Sequence, residues 1–114
     1  MQMEITYLLP INLTLLFKMP AACRIGDQDL PHCSTPARAA GSHNVYVNGI
    51  PWSRQGDTNT PHLIPDDDPC SVHTGSISSG SSKVIVNGKG AGRIGDSIGG
   101  CTAVATGSPD VFAG

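Results

Sequence analysis

Aromatic side chains are scarce, at 4% of the chain, and hydrophobic residues reach only 39%. For 114 residues this argues against a large conventional core, so the fold needs another support: a metal, disulfides or a partner. Basic residues are few as well, seven Lys and Arg against nine Asp and Glu for a net charge of −2. They do not cluster, so nothing points to a nucleic-acid footprint. Long hydrophobic runs are missing except for "ITYLLPINLTLLF" at 5–17, which holds Pro10, Asn12 and Thr14 and is too short and too polar for a membrane span. No positive region precedes that run, since Glu4 stands ahead of it and Lys18 follows. In "PAAC" (20–23), Pro20 occupies the place where a lipoprotein cleavage site has an aliphatic residue. No signal peptide is therefore expected. Residues 1–18 read as an N-terminal extension without an assigned role, and residues 19–114 as one domain made in the cytoplasm. Neither a GxSxG elbow nor a phosphate-binding loop occurs, and the serines fall in turns such as "SISSGSS". An enzyme is not expected.

What the chain does have is turns and repeats. Gly and Pro number 14 and 9, while Val and Ile gather in short runs. "CRIGD" (23–27), "SRQGD" (53–57) and "GRIGD" (92–96) share R-x-G-D. "GSHNVYVNG" (41–49) and "GSSKVIVNG" (80–88) precede the second and third copies, and "GSPDVFAG" (107–114) is a truncated further copy. V-Y-V and V-I-V are short alternating strands, and Asn-Gly favours a two-residue hairpin because both residues tolerate positive φ. The repeat predicts an all-β fold of three short β-hairpin units, each too small to bury a face alone, packed around a common pseudo-threefold axis.

The Gly-Asp steps set a frame. Five residues beyond Asp27, Asp57 and Asp96 stand His32, His62 and Cys101, three side chains that bind zinc. Equivalent positions in three related repeats converge on the axis, and one more ligand closes a tetrahedral site. From its Asp to the next Gly-Ser, the second repeat (57 to 80) is nine residues longer than the first (27 to 41), and the added loop carries Cys70 and His73. The best constellation is His32, His62, His73 and Cys101, with Cys70 the alternative fourth ligand. Such a closed set of nitrogen and sulfur donors is structural, because it has no open position for an activated water. His43 in its "GSHN" turn reads as exposed, Cys23 and Cys33 as buried thiols, and Asp66, Asp67 and Asp68 as a solvated acidic loop. Four cysteines also allow two disulfides in an oxidising compartment, with three pairings.

"MPAACRIGD" (19–27) closely resembles the opening of PAAR-repeat proteins. "GSHNVYVNGIPWSRQGD", "GSSKVIVNGKGAGRIGD" and the final "GSPDVFAG" resemble that family's repeats and its ending, so the likeness covers residues 19–114. The resemblance implies a small cone-shaped β-structure that sits as one copy on the blunt end of a trimeric β-helical spike. Such spikes belong to contractile injection machines: phage tails with their baseplates, type VI secretion systems, where the spike is VgrG, and related particles. The resemblance implies that the cone sharpens the tip that pierces the target envelope. It implies one structural zinc ion (Zn2+) near the apex, held by three His and one Cys, which here fall on His32, His62, His73 and Cys101. It also implies delivery outside the producing cell, transient contact with the target membrane, a trimeric VgrG-like or phage spike partner, and no homo-oligomer. Two rival readings remain, a small zinc-dependent hydrolase and a secreted, disulfide-stapled binding module.

Overall fold

A computed structural model describes residues 19–31, 34–63, 72–99 and 101–114. Its strands are β1 (Tyr46–Val47), β2 (Ile50–Pro51), β3 (His62–Leu63), β4 (Val72–His73), β5 (Ile85–Val86), β6 (Lys89–Gly90), β7 (Ser97–Ile98) and β8 (Thr102–Ala103). They pair antiparallel as β1-β2, β3-β4, β5-β6 and β7-β8. No helix occurs among the described residues, so the fold is all-β as expected. Asn48 and Gly49 link β1 to β2 with φ of 54° and 76°, and Asn87 and Gly88 link β5 to β6 with 53° and 79°. Both residues of each turn lie in the left-handed region, the geometry that makes Asn-Gly favourable there.

Each strand is only two residues long because the chain then leaves its partner to pair with another repeat. Arg24 bridges Trp52, Arg54 bridges Ala91, and Arg93 bridges Ala22. Each Arg thus meets the residue two places before the Arg of the next copy, and the third copy returns to the first. Asp29, Asn59 and Ile98, two places beyond each Gly-Asp, bridge Val104, Arg38 and Ile77 in a second closed cycle. A third cycle runs through the residues that the first one flanks: Cys23 N–H donates to Gly92 O (3.1 Å), Gly92 N–H to Ser53 O (2.9 Å) and Ser53 N–H to Cys23 O (3.0 Å). A Cβ on Gly92 would stand 2.6 Å from Ser53 O and 2.7 Å from Cys23 Sγ, which explains the glycine.

The truncated copy completes the first repeat. Ala21 bridges Phe112, and Ala22 N–H donates to Val111 O at 2.9 Å, as Trp52 does to Val45 O at 3.0 Å and Ala91 to Val84 O at 2.9 Å. This hairpin is therefore split, with one arm from each end of the domain. Gly114 stands where Asn48 and Asn87 stand in the intact hairpins, and Met19 where Gly49 and Gly88 stand.

R-x-G-D is a turn and a clamp together. Asp27, Asp57 and Asp96 N–H groups donate back to Arg24, Arg54 and Arg93 carbonyls at 2.9, 2.9 and 3.1 Å. Gly26, Gly56 and Gly95, with φ of 91°, 90° and 90°, take the turn position that requires positive φ. Within each turn the guanidinium grips the carboxylate, as Arg54 Nε and Nη2 do at 2.8 and 3.0 Å. The remaining nitrogen reaches the next hairpin: Arg24 Nη1 to Asn48 Oδ1, Arg54 Nη1 to Asn87 Oδ1 (both 3.0 Å), and Arg93 Nη1 to Gly114 O at 3.0 Å. Two apolar clusters result. One, at the hairpins, holds Ala22, Val47, Trp52, Val86, Ala91 and Ala113. The other holds Cys23, Ile77, Ile98 and Val104, with Cys101 packed against it.

Candidate metal centre

Antiparallel register sets the first two donors. His62 and His73 are direct partners across β3 and β4, so their side chains rise on the same face. Their rings lie 4.3 Å apart at 61°. Cys101 sits in the tight turn between β7 and β8, fixed by its N–H donating to Ile98 O at 2.8 Å. Its Sγ lies 3.2 Å from His62 Nε2 and 3.3 Å from His73 Nε2.

The three donor atoms fall within 4.8 Å of one another, so His62, His73 and Cys101 could hold a metal ion. His62 Nδ1 lies 2.8 Å from Thr60 O. A carbonyl only accepts, so Nδ1 carries the proton and Nε2 presents its lone pair to the site. Tetrahedral zinc–sulfur and zinc–nitrogen bonds imply N···S edges of about 3.5 Å, close to the spacing present. Two imidazole nitrogens and one thiolate sulfur suit a borderline-soft ion. His62 is buried, while His73 and Cys101 are partly covered. Burial pushes the Cys101 thiol up, and nearby Asp29 adds to this while Arg38 opposes it. A bound metal would favour the thiolate and displace that proton.

Of the residues expected from the repeat frame, His62 and Cys101 come together, and the longer second loop brings His73 beside them. His32 lies outside the described residues, as do Cys33, Cys70 and the run Asp66 to Asp68. His43 is exposed, in its turn. Cys23 is fully buried, and burial raises its thiol to about 12. It behaves as a small hydrophobe.

Sequence reasoning missed a polar layer beneath the donors. Arg38 Nη2 donates to Asp29 Oδ2 at 2.8 Å, with both side chains at 0% exposure. Asn59 Nδ2 donates to the same oxygen at 2.9 Å, Arg38 Nη1 donates to Asp57 O at 3.0 Å, and Gly75 N–H donates to Asn59 Oδ1 at 2.7 Å. Asp29 Oδ1 and Arg38 Nε have no hydrogen-bond partner among the described residues. The signal was there in part: Asp29, Asn59 and Ile98 share one offset from Gly-Asp, just as His32, His62 and Cys101 do. No family model matches this chain, and no curated protein does either.

Proposed function

We propose that the chain is a non-enzymatic, zinc-stabilised tip that caps a trimeric β-helical spike of a contractile injection machine. The observation that carries this reading is the head-to-tail closure of the R-x-G-D copies, in which Arg24, Arg54 and Arg93 each bridge the next copy and the last returns to the first. Such closure supports a pseudo-threefold body, the shape that matches one chain to three identical ones. Tyr46, Ile85 and Phe112 hold the same place in the three hairpins and are exposed by 55%, 57% and 37%. Three equivalent apolar side chains at the hairpin end suit a trimeric spike face. The converging donors, with Cys101 packed against the second apolar cluster, suit a zinc ion that ties together a body with little core, and metal binding there adds folding free energy directly. The motif resemblance of residues 19–114 to PAAR-repeat proteins supports the same reading. On it, the protein is delivered outside the producing cell and touches the target membrane only transiently.

Co-expression with a trimeric β-helical spike protein tests the reading. One tip per three spike chains is expected, with loss of the complex when Tyr46, Ile85 and Phe112 are all changed to Ser. Failure to associate, or an exchangeable metal-bound water together with hydrolytic activity, would overturn it.

A further inference from the structure

We propose that Asn59 is a positioning residue for the metal centre, held in place by the buried pair of Asp29 and Arg38. This rests on the reading that His62, His73 and Cys101 bind a metal ion. Asn59 lies three residues before His62, and its Oδ1 accepts from Gly75 N–H (2.7 Å), two residues after His73. One carboxamide therefore locks together the two segments that present the imidazoles. Its Nδ2 donates to Asp29 Oδ2 at 2.9 Å, which fixes the amide's orientation, and Asp29 is itself held by Arg38 Nη2 at 2.8 Å. Arg38 continues to Asp57 O at 3.0 Å, on the segment that leads to Asn59.

Contact with the third donor is equally close. A Cβ placed on Gly75 would lie 3.6 Å from Cys101 Cβ, 3.7 Å from Asn59 Nδ2 and only 2.6 Å from Ile98 Cγ2. The segment that Asn59 holds thus runs flush against the cysteine's own turn. Register brings His62 opposite His73, and Asn59 N–H donates to Gly75 O at 2.9 Å, so the backbone already joins the two segments. The amide adds a second tie between them and anchors it to the buried Asp29.

Energetics favour a role beyond packing. A fully buried ion pair is often no more stabilising than apolar residues of the same shape, and here Asp29 Oδ1 and Arg38 Nε also lack partners among the described residues. The equivalent places in the other copies hold Ile98, Ile77 and Val104, so an all-apolar layer fits this backbone. The polar exception occurs beside the ladder that carries two donors. Outer-shell groups of this kind typically change metal affinity by about 10- to 100-fold when removed.

The test uses the full chain. Zinc affinity is measured by competition with a chromophoric chelator, and the ligand field by the visible absorption of the Co2+-substituted protein at saturation. Asn59→Leu should lose about 10- to 100-fold in zinc affinity and alter the Co2+ spectrum. Val86→Ala, in the hairpin cluster, should weaken apparent affinity only through folding and leave the saturated spectrum unchanged. Asn59→Asp should be as damaging as Asn59→Leu, because it sets two carboxylates against each other. Adding Asp29→Asn to it restores a donor–acceptor pair and the total charge, and should recover most of the affinity. Wild-type zinc affinity with an unaltered Co2+ spectrum in Asn59→Leu would overturn the proposal, as would a double variant no better than Asn59→Asp. A wild-type chain that takes up no metal would overturn the metal reading itself, and this inference with it.

Discussion

Phe112 pairs with Ala21 in the same register that joins Tyr46 to Pro51 and Ile85 to Gly90. Residues 114 and 19 therefore meet where the other two hairpins make their Asn-Gly turn. A permuted chain that runs from Gly49 to 114, joins 114 to 19, and ends at Asn48 trades one turn for another. Met19 would inherit the positive φ of Gly49, 76°, so the permutant should carry Met19→Gly and Gly114→Asn. It should unfold cooperatively, within about 1 kcal/mol of residues 19–114, because the turns lost and gained are alike. Thermal unfolding followed by circular dichroism measures this, and a permutant without a cooperative transition would count against the split hairpin.

Asp57 accepts from Arg54 backbone N–H (2.8 Å), Nε (2.8 Å) and Nη2 (3.0 Å) while only 7% of its side chain is exposed. Asp57→Ala removes all three bonds and leaves a mostly covered guanidinium against Asn87 alone. Charged hydrogen bonds contribute about 1.5–3 kcal/mol, and an unpaired charge costs more when buried. A loss of about 2–4 kcal/mol in urea unfolding is expected. A loss below about 0.5 kcal/mol, the level of an ordinary surface change, would show that the clamp is decorative.

Much of this was legible. V-Y-V-N-G and V-I-V-N-G announced their hairpins because Asn-Gly turn chemistry is local, and R-x-G-D announced its turn for the same reason. The common offset from Gly-Asp pointed to His62 and Cys101 before any contact was known. The partner of "GSPDVFAG" was not legible, since Phe112 and Ala21 meet only after the whole ring has closed. Nor was the ion pair. Arg38 in "PARAA" looks like any isolated surface cation, and only tertiary packing turns it toward Asp29 at 0% exposure. The length of the second loop hinted at an extra donor, with His73 preferred and Cys70 left as the alternative, because loop length sets reach and not direction.

Cys23 gives the fold a pH limit at the alkaline end. Burial, with Arg38 opposing, raises its thiol from an ordinary 9.0 to about 12. Between those values the unfolded thiol ionises and the folded one does not, so protons are lost on unfolding and stability falls as pH rises. Below 9 the contribution is fully present. The slope attributable to one such group is at most about 1.4 kcal/mol per pH unit. Urea unfolding at pH 8 and pH 10.5 should show a steeper decline in the wild type than in Cys23→Ala, whatever the variant's stability at pH 8. Equal declines would mean that Cys23 ionises freely in the fold.

The candidate metal centre makes the sharpest demand on individual residues. A ligand that binds only the folded chain stabilises it by about 2.7 kcal/mol at a hundredfold excess over Kd. For a domain of this size that corresponds to a rise in Tm of roughly 10 °C or more. On the zinc reading, wild-type protein should therefore melt at least that much lower after chelation than with zinc restored. His62→Ala and Cys101→Ala each remove one of three donor atoms that lie within 4.8 Å, so their Tm should depend little on the chelator. His43→Ala changes an exposed side chain in another turn, so it should keep the full wild-type response. Differential scanning calorimetry with and without chelator reads all four proteins in the same way. Loss of the response in His43→Ala, or its survival in Cys101→Ala, would place the metal elsewhere. Because each variant is compared with itself, a general loss of stability cannot imitate the expected pattern.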